Sequence, residues 1–172
     1  MSITGSLVGA LFLLYTPPTT FKSLVPFLIF TAVLLLAFSE AIKRAIAGFL
    51  LEGKKLPYVF PLALQFITGV YGSYFGAGIG IMMLASLSLS GIGNIHTANA
   101  LKNLLGFVIN LVGAFVFALS GKVSWHFVAL LMPSFALGGY VGARVSLIFP
   151  PRWVKVFIIL WGVFIGSYLF VK

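Results

Sequence analysis

Residues 68–80 read Thr68-Gly-Val-Tyr-Gly-Ser-Tyr-Phe-Gly-Ala-Gly-Ile-Gly80. This stretch decides the fold because it interrupts an apolar run of awkward length. Residues 57–89 would make about 50 Å of continuous helix at 1.5 Å per residue, against a bilayer hydrocarbon core of about 30 Å. The run is too long for one span and too short for two complete ones. Gly69, Gly72, Gly76, Gly78 and Gly80 crowd its middle, where a missing Cβ lets the chain leave helical dihedrals cheaply. The run therefore reads as two short helices, 57–72 and 77–89, meeting at a glycine break.

Composition sets this break in a membrane. Hydrophobic residues make up 61% of the 172 residues and charged residues 8%, with a mean hydropathy of +1.17. Soluble domains carry about 25% charged residues, and two acids with eleven bases cannot coat a water-facing surface. An ordinary soluble enzyme and a disordered tail are excluded. Without cysteine there is no disulfide framework, thiolate metal site or cysteine nucleophile. The net charge of +9 is scattered among apolar runs rather than gathered in a patch, which points to membrane orientation and not to nucleic acid. Further apolar runs cover 3–15, 24–39, 104–119, 127–149 and 154–171. With the two halves of the broken run they make about seven membrane-embedded segments: an all-α, polytopic membrane helical bundle in the cell's plasma or inner membrane.

The first run lacks the basic start and small-residue cleavage site of a signal peptide. An internal repeat accounts for it as the end of a larger unit. Gly5-Ser-Leu-Val-Gly-Ala-Leu-Phe-Leu-Leu-Tyr-Thr-Pro-Pro-Thr-Thr-Phe-Lys22 aligns without gaps on residues 138–155, at an offset of 133. Gly5, Val8, Gly9, Ala10, Leu14, Pro17, Pro18 and Lys22 match Gly138, Val141, Gly142, Ala143, Leu147, Pro150, Pro151 and Lys155. Residues 1–40 then read as the last two segments of a first repeat, 41–56 as a basic cytoplasmic loop, and 57–172 as a complete second repeat of five segments. Roughly 75 residues of the first repeat are expected to lie outside this sequence.

Charge gives the orientation, because cytoplasmic loops collect Lys and Arg. If 57–89 enters and returns as a hairpin, eight bases fall inside and three (Lys22, Lys122 and Lys172) outside. If it crosses once, the division is six to five. The hairpin is favoured, and with five segments per repeat the two repeats must be inverted. Lys22 and its equivalent Lys155 then face opposite sides. Inverted repeats with broken helices are a transporter signature, the substrate lying near the midplane at the repeat interface.

Three features bear on chemistry. The helix after the break points its positive end at whatever occupies it, which suits an anion; close helix packing through small residues is the competing reading. Downstream, Asn99, Lys102, Asn103, Gly106, Asn110 and Gly113 share one broad helical face, and such a polar stripe belongs inside the bundle. Lys102 could supply charge and the asparagines amide donors, or Lys102 could snorkel while the amides bridge helices. Arg144 could snorkel or attract anions. His96 and His126 have no metal-ligand spacing, and Glu40 and Glu52 flank the basic loop, too far along the cytoplasmic side to pair with Lys102. No metal or cofactor is implied. The expected site is an anion beside Gly76, Gly78 and Gly80, facing Asn99, Lys102 and Asn103, with Tyr71, Tyr74 and Phe75 closing the cavity.

The motifs Gly69-Val-Tyr-Gly-Ser-Tyr-Phe-Gly-Ala-Gly-Ile-Gly80, His96-Thr-Ala-Asn-Ala-Leu-Lys-Asn-Leu104, Ser120-Gly-Lys-Val-Ser-Trp125 and Gly138-Gly-Tyr-Val-Gly-Ala-Arg144 resemble the TauE/SafE, or sulfite exporter, family of membrane transporters. The resemblance runs over essentially the whole chain. Members contain two related halves, and this sequence resembles the end of the first followed by the whole second; the first half's own glycine-rich motif has no counterpart here. The resemblance implies secondary transport of sulfite, thiosulfate or organosulfonates by alternating access. The alternative is a non-transporting membrane subunit, a truncated scaffold of helices for a partner. The partners expected are a small anion, the lipid bilayer, and either a missing first-repeat half or further copies of the chain. An enzyme is not expected, since no carboxylate pair, metal cluster or activated nucleophile stands in the sequence.

Overall fold

The computed structural model describes residues 1–51, 57–92, 94–146 and 148–171. These form helices and turns only: α1 (Ser2–Tyr15), α2 (Pro18–Ala37), α3 (Ser39–Leu51), α4 (Val59–Tyr74), α5 (Ile79–Leu89), α6 (Ile95–Leu119), α7 (Trp125–Ser146) and α8 (Pro151–Val171). The fold is an all-α polytopic bundle. Helices α2, α6, α7 and α8 are each long and apolar enough to cross a bilayer. Aromatic residues such as Phe12, Phe27, Phe115, Phe135 and Trp161 are exposed along the sides of the helices, as a lipid solvent permits.

Starts and stops follow local chemistry. Pro18 and Pro151 open α2 and α8, where a missing N–H costs nothing. The Asn94 side chain caps α6, accepting from the N–H groups of His96 at 2.9 Å and Thr97 at 3.4 Å. Apolar runs underestimate these elements. Helix α2 begins at Pro18 and α6 at Ile95, because polar first turns end on a cap rather than on a change in hydropathy. Residues 41–56, expected as a loop, contribute most of α3 over Ser39–Leu51. Helix α3 is amphipathic, with Glu40 bridging Lys43 one turn later at 2.9 Å. Glu52, Lys54, Lys55, Leu147 and Lys172 lie outside the described residues.

Two helix pairs organise the bundle. Helices α1 and α4 run parallel with their backbones almost touching. A Cβ on Gly9 would fall 2.1 Å from the Val70 carbonyl oxygen, one on Gly5 2.3 Å from that of Phe66, and one on Gly69 2.8 Å from that of Ser2. Gln65 Nε2 donates to Ser2 Oγ at 2.9 Å along the same seam. The Ser6 hydroxyl bonds the Ile109 carbonyl at 2.8 Å and meets Ser73 Oγ, tying α1 and α4 to α6. Glycine is required at 5 and 9 because any side chain would hold the helices apart.

Helices α2 and α8 run antiparallel: a Cβ on Gly162 meets Val33, one on Gly166 meets Phe30, and the Phe27 and Phe170 rings lie 5.7 Å apart edge to face. At one end Lys155 Nζ donates to the Ala37 carbonyl at 3.2 Å and to Ser39 Oγ at 2.9 Å. Lys22 stands at the other end, beside Leu169 and Phe170. Repeat-equivalent helices thus pack head to tail, and Lys22 and Lys155 lie at opposite ends, as inverted repeats require.

Candidate functional site

The polypeptide between α4 and α5 is where the long run breaks. Helix α4 ends at Tyr74 and α5 begins at Ile79; between them Gly76 and Gly78 take φ of +85° and +81°, a region costly for L-residues with a Cβ. The two helices fold back as a hairpin, with Ser86 Oγ near the end of α5 donating to the Pro61 carbonyl near the start of α4 at 3.0 Å. Gly78 is the N-cap of α5, and no side chain caps that end. The N–H of Ile81 donates to the Gly78 carbonyl at 3.1 Å, while those of Ile79 and Gly80 lack intrahelical partners and stand at the break with the positive end of the helix dipole.

A cavity of about 560 Å³ opens beside this end, lined by Gly78, Gly80 and Ile81 of the break and α5, Lys102 of α6, Ser39, Glu40 and Lys43 around α3, and Lys155 of α8. Three lysines and one glutamate line it. Their partners differ. Lys43 is paired with Glu40 at 2.9 Å, and Lys155 caps the C-terminal end of α2. Lys102 is half-buried. Its stem lies on Gly80, where a Cβ would come 3.6 Å from Lys102 Cδ. Among the described residues no group hydrogen-bonds or ion-pairs with the Lys102 ammonium.

A second, apolar cavity of about 270 Å³ adjoins the first, lined by Ile29, Ala32, Phe75, Ala77 and Gly162. The two share Leu36, Gly78, Ile81 and Ile158. One end of the space is thus cationic and the other greasy, with Gly78 at the junction.

Of the six residues expected at the site, Gly78, Gly80 and Lys102 come together around one cavity. Gly76 shapes the turn before it, and Asn99 and Asn103 are exposed on α6 outside the lining. Asn110 does not bridge helices; its Nδ2 donates to the Gly106 carbonyl on its own helix at 2.8 Å. Arg144 donates to Tyr140 Oη at 2.9 Å and lies over the Tyr140 ring. Tyr74 packs edge-on against Phe21, and of the three expected aromatic walls only Phe75 borders the joined cavities. Ser39, Glu40, Lys43 and Lys155 join the lining beyond the residues that the sequence singles out. Glu40 is not remote from Lys102: the turn from α2 into α3 folds it over the same cavity. The readable signal was Lys155, which the repeat pairs with Lys22 at the mouth of an equivalent helix. Among the described residues no three His, Cys, Asp or Glu gather to hold a metal.

The family model of the sulfite exporter TauE/SafE matches residues 1–169. A probable membrane transporter protein of Sinorhizobium sp is 35% identical over 148 residues, covering 85% of this chain and 53% of the relative. One from Haemophilus influenzae is 31% identical over 142 residues, covering 81% and 53%. The probable membrane transporter protein YfcA of Escherichia coli is 27% identical over 150 residues, covering 86% and 53%. The chain thus spans about half the length of these curated relatives. No solved structure matches it.

Proposed function

The chain belongs to the sulfite exporter TauE/SafE family, and from that membership we propose that it carries the binding half of a secondary transporter for small sulfur-containing anions. The observation behind this reading is the Lys102 ammonium, without a partner among the described residues, in a cavity that the uncapped start of α5 also borders. Even a half-buried lysine in an apolar bundle is costly without a partner, up to about 2.5–3.5 kcal/mol on insertion scales. An anion supplies that partner, and the helix end adds directed N–H donors. The adjoining apolar cavity favours a substrate with a small carbon body beside its charged head, an organosulfonate, alongside sulfite and thiosulfate.

Alternating access at the repeat interface fits the placement of the cavity, which is walled by α2 of one repeat and α5, α6 and α8 of the other. The test is isothermal titration of the purified chain with methanesulfonate and thiosulfate, followed by flux of the same anions into proteoliposomes. Saturable binding that Lys102→Gln weakens supports the site. Binding without flux favours the reading as a non-transporting subunit. No saturable binding of either anion refutes the proposal.

A further inference from the structure

Helix α7 is bare. Every described residue from Trp125 to Val145 is exposed, and a Cβ on Gly138, Gly139 or Gly142 would meet nothing within 4 Å. Its repeat counterpart is not bare: Gly5 and Gly9 of α1 correspond to Gly138 and Gly142 and lie closer to a neighbouring helix, the α4 backbone, than any other described glycine does.

The pairing of α2 with α8 says what the counterpart contact must be. Adding the repeat offset of 133 to Phe30 gives Val163, and subtracting it from Gly166 gives Val33. The Phe30–Gly166 contact is therefore carried onto Val33–Val163, one residue from the observed contact of Val33 with Gly162. The two repeats are thus related by a local twofold axis through the α2–α8 pair. The α1–α4 seam joins the end of the first repeat to the start of the second. The same axis demands a second seam, joining α7 to the first repeat's equivalent of α4, which is not within residues 1–172.

We propose that the Gly138–Gly142 face of α7 is the docking surface for an α4-type helix, the first arm of a glycine-broken hairpin supplied by polypeptide outside these 172 residues. The occupant's chemistry follows from α4. It is an apolar helix with a small residue where α4 has Gly69, and it lies parallel to α7 with its backbone carbonyls against Gly138 and Gly142, as those of Phe66 and Val70 lie against Gly5 and Gly9. A second copy of this chain is a poor occupant, because the matching face of its α4 is already filled by its own α1. The curated relatives, of which the match covers 53%, have the length to hold such a segment. This inference does not rest on the anion reading.

The test co-expresses the full chain with the part of the Sinorhizobium, Haemophilus or Escherichia relative that lies outside its match. Co-purification in mild detergent with at least one of them is expected. Gly138→Leu with Gly142→Leu should cut recovery of the complex by about tenfold, while Ala136→Leu, on the far side of α7, leaves it unchanged. The chain has no native cysteine, so Gly142→Cys reports the neighbour directly. Cross-linking to the partner's glycine-broken helix is expected. Cross-linking only to a second copy, complexes indifferent to both leucines, or no complex with any of the three segments overturns the proposal. Each glycine variant alone should elute and melt like the parent, since neither position touches another part of the chain.

Discussion

Gly80 and Lys102 face each other across the α5–α6 contact, with the place of a Cβ at 80 lying 3.6 Å from Lys102 Cδ. The lysine stem lies against the first turn of α5, in the cavity that the uncapped helix end also borders. Charge and helix end then act on one ligand. Lys102→Gln keeps the stem and removes the charge. A hydrogen bond to a charged group is worth about 1.5–3 kcal/mol, so sulfonate affinity should fall roughly ten- to hundredfold. Helix content by circular dichroism should not change. An unchanged affinity would place the anion elsewhere.

Gly78 is tested by backbone rather than charge. Its φ of +81° is costly for any residue with a Cβ, by about 1–2 kcal/mol. Room is not the difficulty, since a Cβ there would meet Ala32 and Leu35 at 3.6 Å, ordinary contact. Gly78→Ala should lower the thermal midpoint in detergent, Gly78→Asn should lower it less, and Gly78→Val should lower it most. Equal midpoints for Ala and Asn would show that strain at this dihedral is not what glycine relieves.

The break itself was legible because glycine crowding and a length anomaly fell on the same residues, and both follow from covalent geometry. The repeat was legible because Pro17-Pro18 and Pro150-Pro151 fix the starts of two helices at one offset. Lys102 was legible as a lysine on a polar stripe. The other cavity groups were not. Glu40 and Lys43, neighbours on α3, are far in sequence from Lys102 and Lys155, and join them only through the turn from α2 into α3 and the antiparallel contact of α2 with α8. Periodicity reports which face of a helix is polar; it does not report which other helix end is folded over that face. Asn99 and Asn103 illustrate the converse, sharing a stripe with Lys102 but diverging from the cavity because α6 turns them outward.

The seam of α1 on α4 gives a steric prediction with an internal control. A methyl at Gly9 would sit 2.1 Å from the Val70 oxygen, so Gly9→Ala must push two helices apart. Overpacking of this kind costs about 1–3 kcal/mol. Gly106, in the middle of α6, has nothing within 4 Å, and Gly106→Ala should gain about 0.5–1 kcal/mol from helix propensity alone. Unfolding titrations in mixed detergent micelles compare the two. A Gly9→Ala variant as stable as Gly106→Ala would mean that α1 and α4 are not held in backbone contact.

The Glu40–Lys43 pair sets how many cations the cavity shows to an anion. The Lys43 hydrogen bond and then its charge hold the Glu40 carboxyl below the ordinary value of 4.5, with Lys155 and Arg44 adding to the effect. A lowered carboxyl pKa makes the pair fully present at and above that ordinary value, and lost as pH falls through the lower, folded one. At neutral pH, therefore, Glu40 offsets one of the three lysines. Glu40→Gln frees Lys43 and removes that offset, so affinity for methanesulfonate, whose charge does not titrate here, should rise about two- to threefold at neutral pH and low salt. The parent should show the same gain only below pH 4.5, and the variant should show none there. A parent whose affinity already climbs well above that pH, or a Glu40→Gln variant that binds more weakly, would mean that the carboxylate helps build the site instead of opposing the anion.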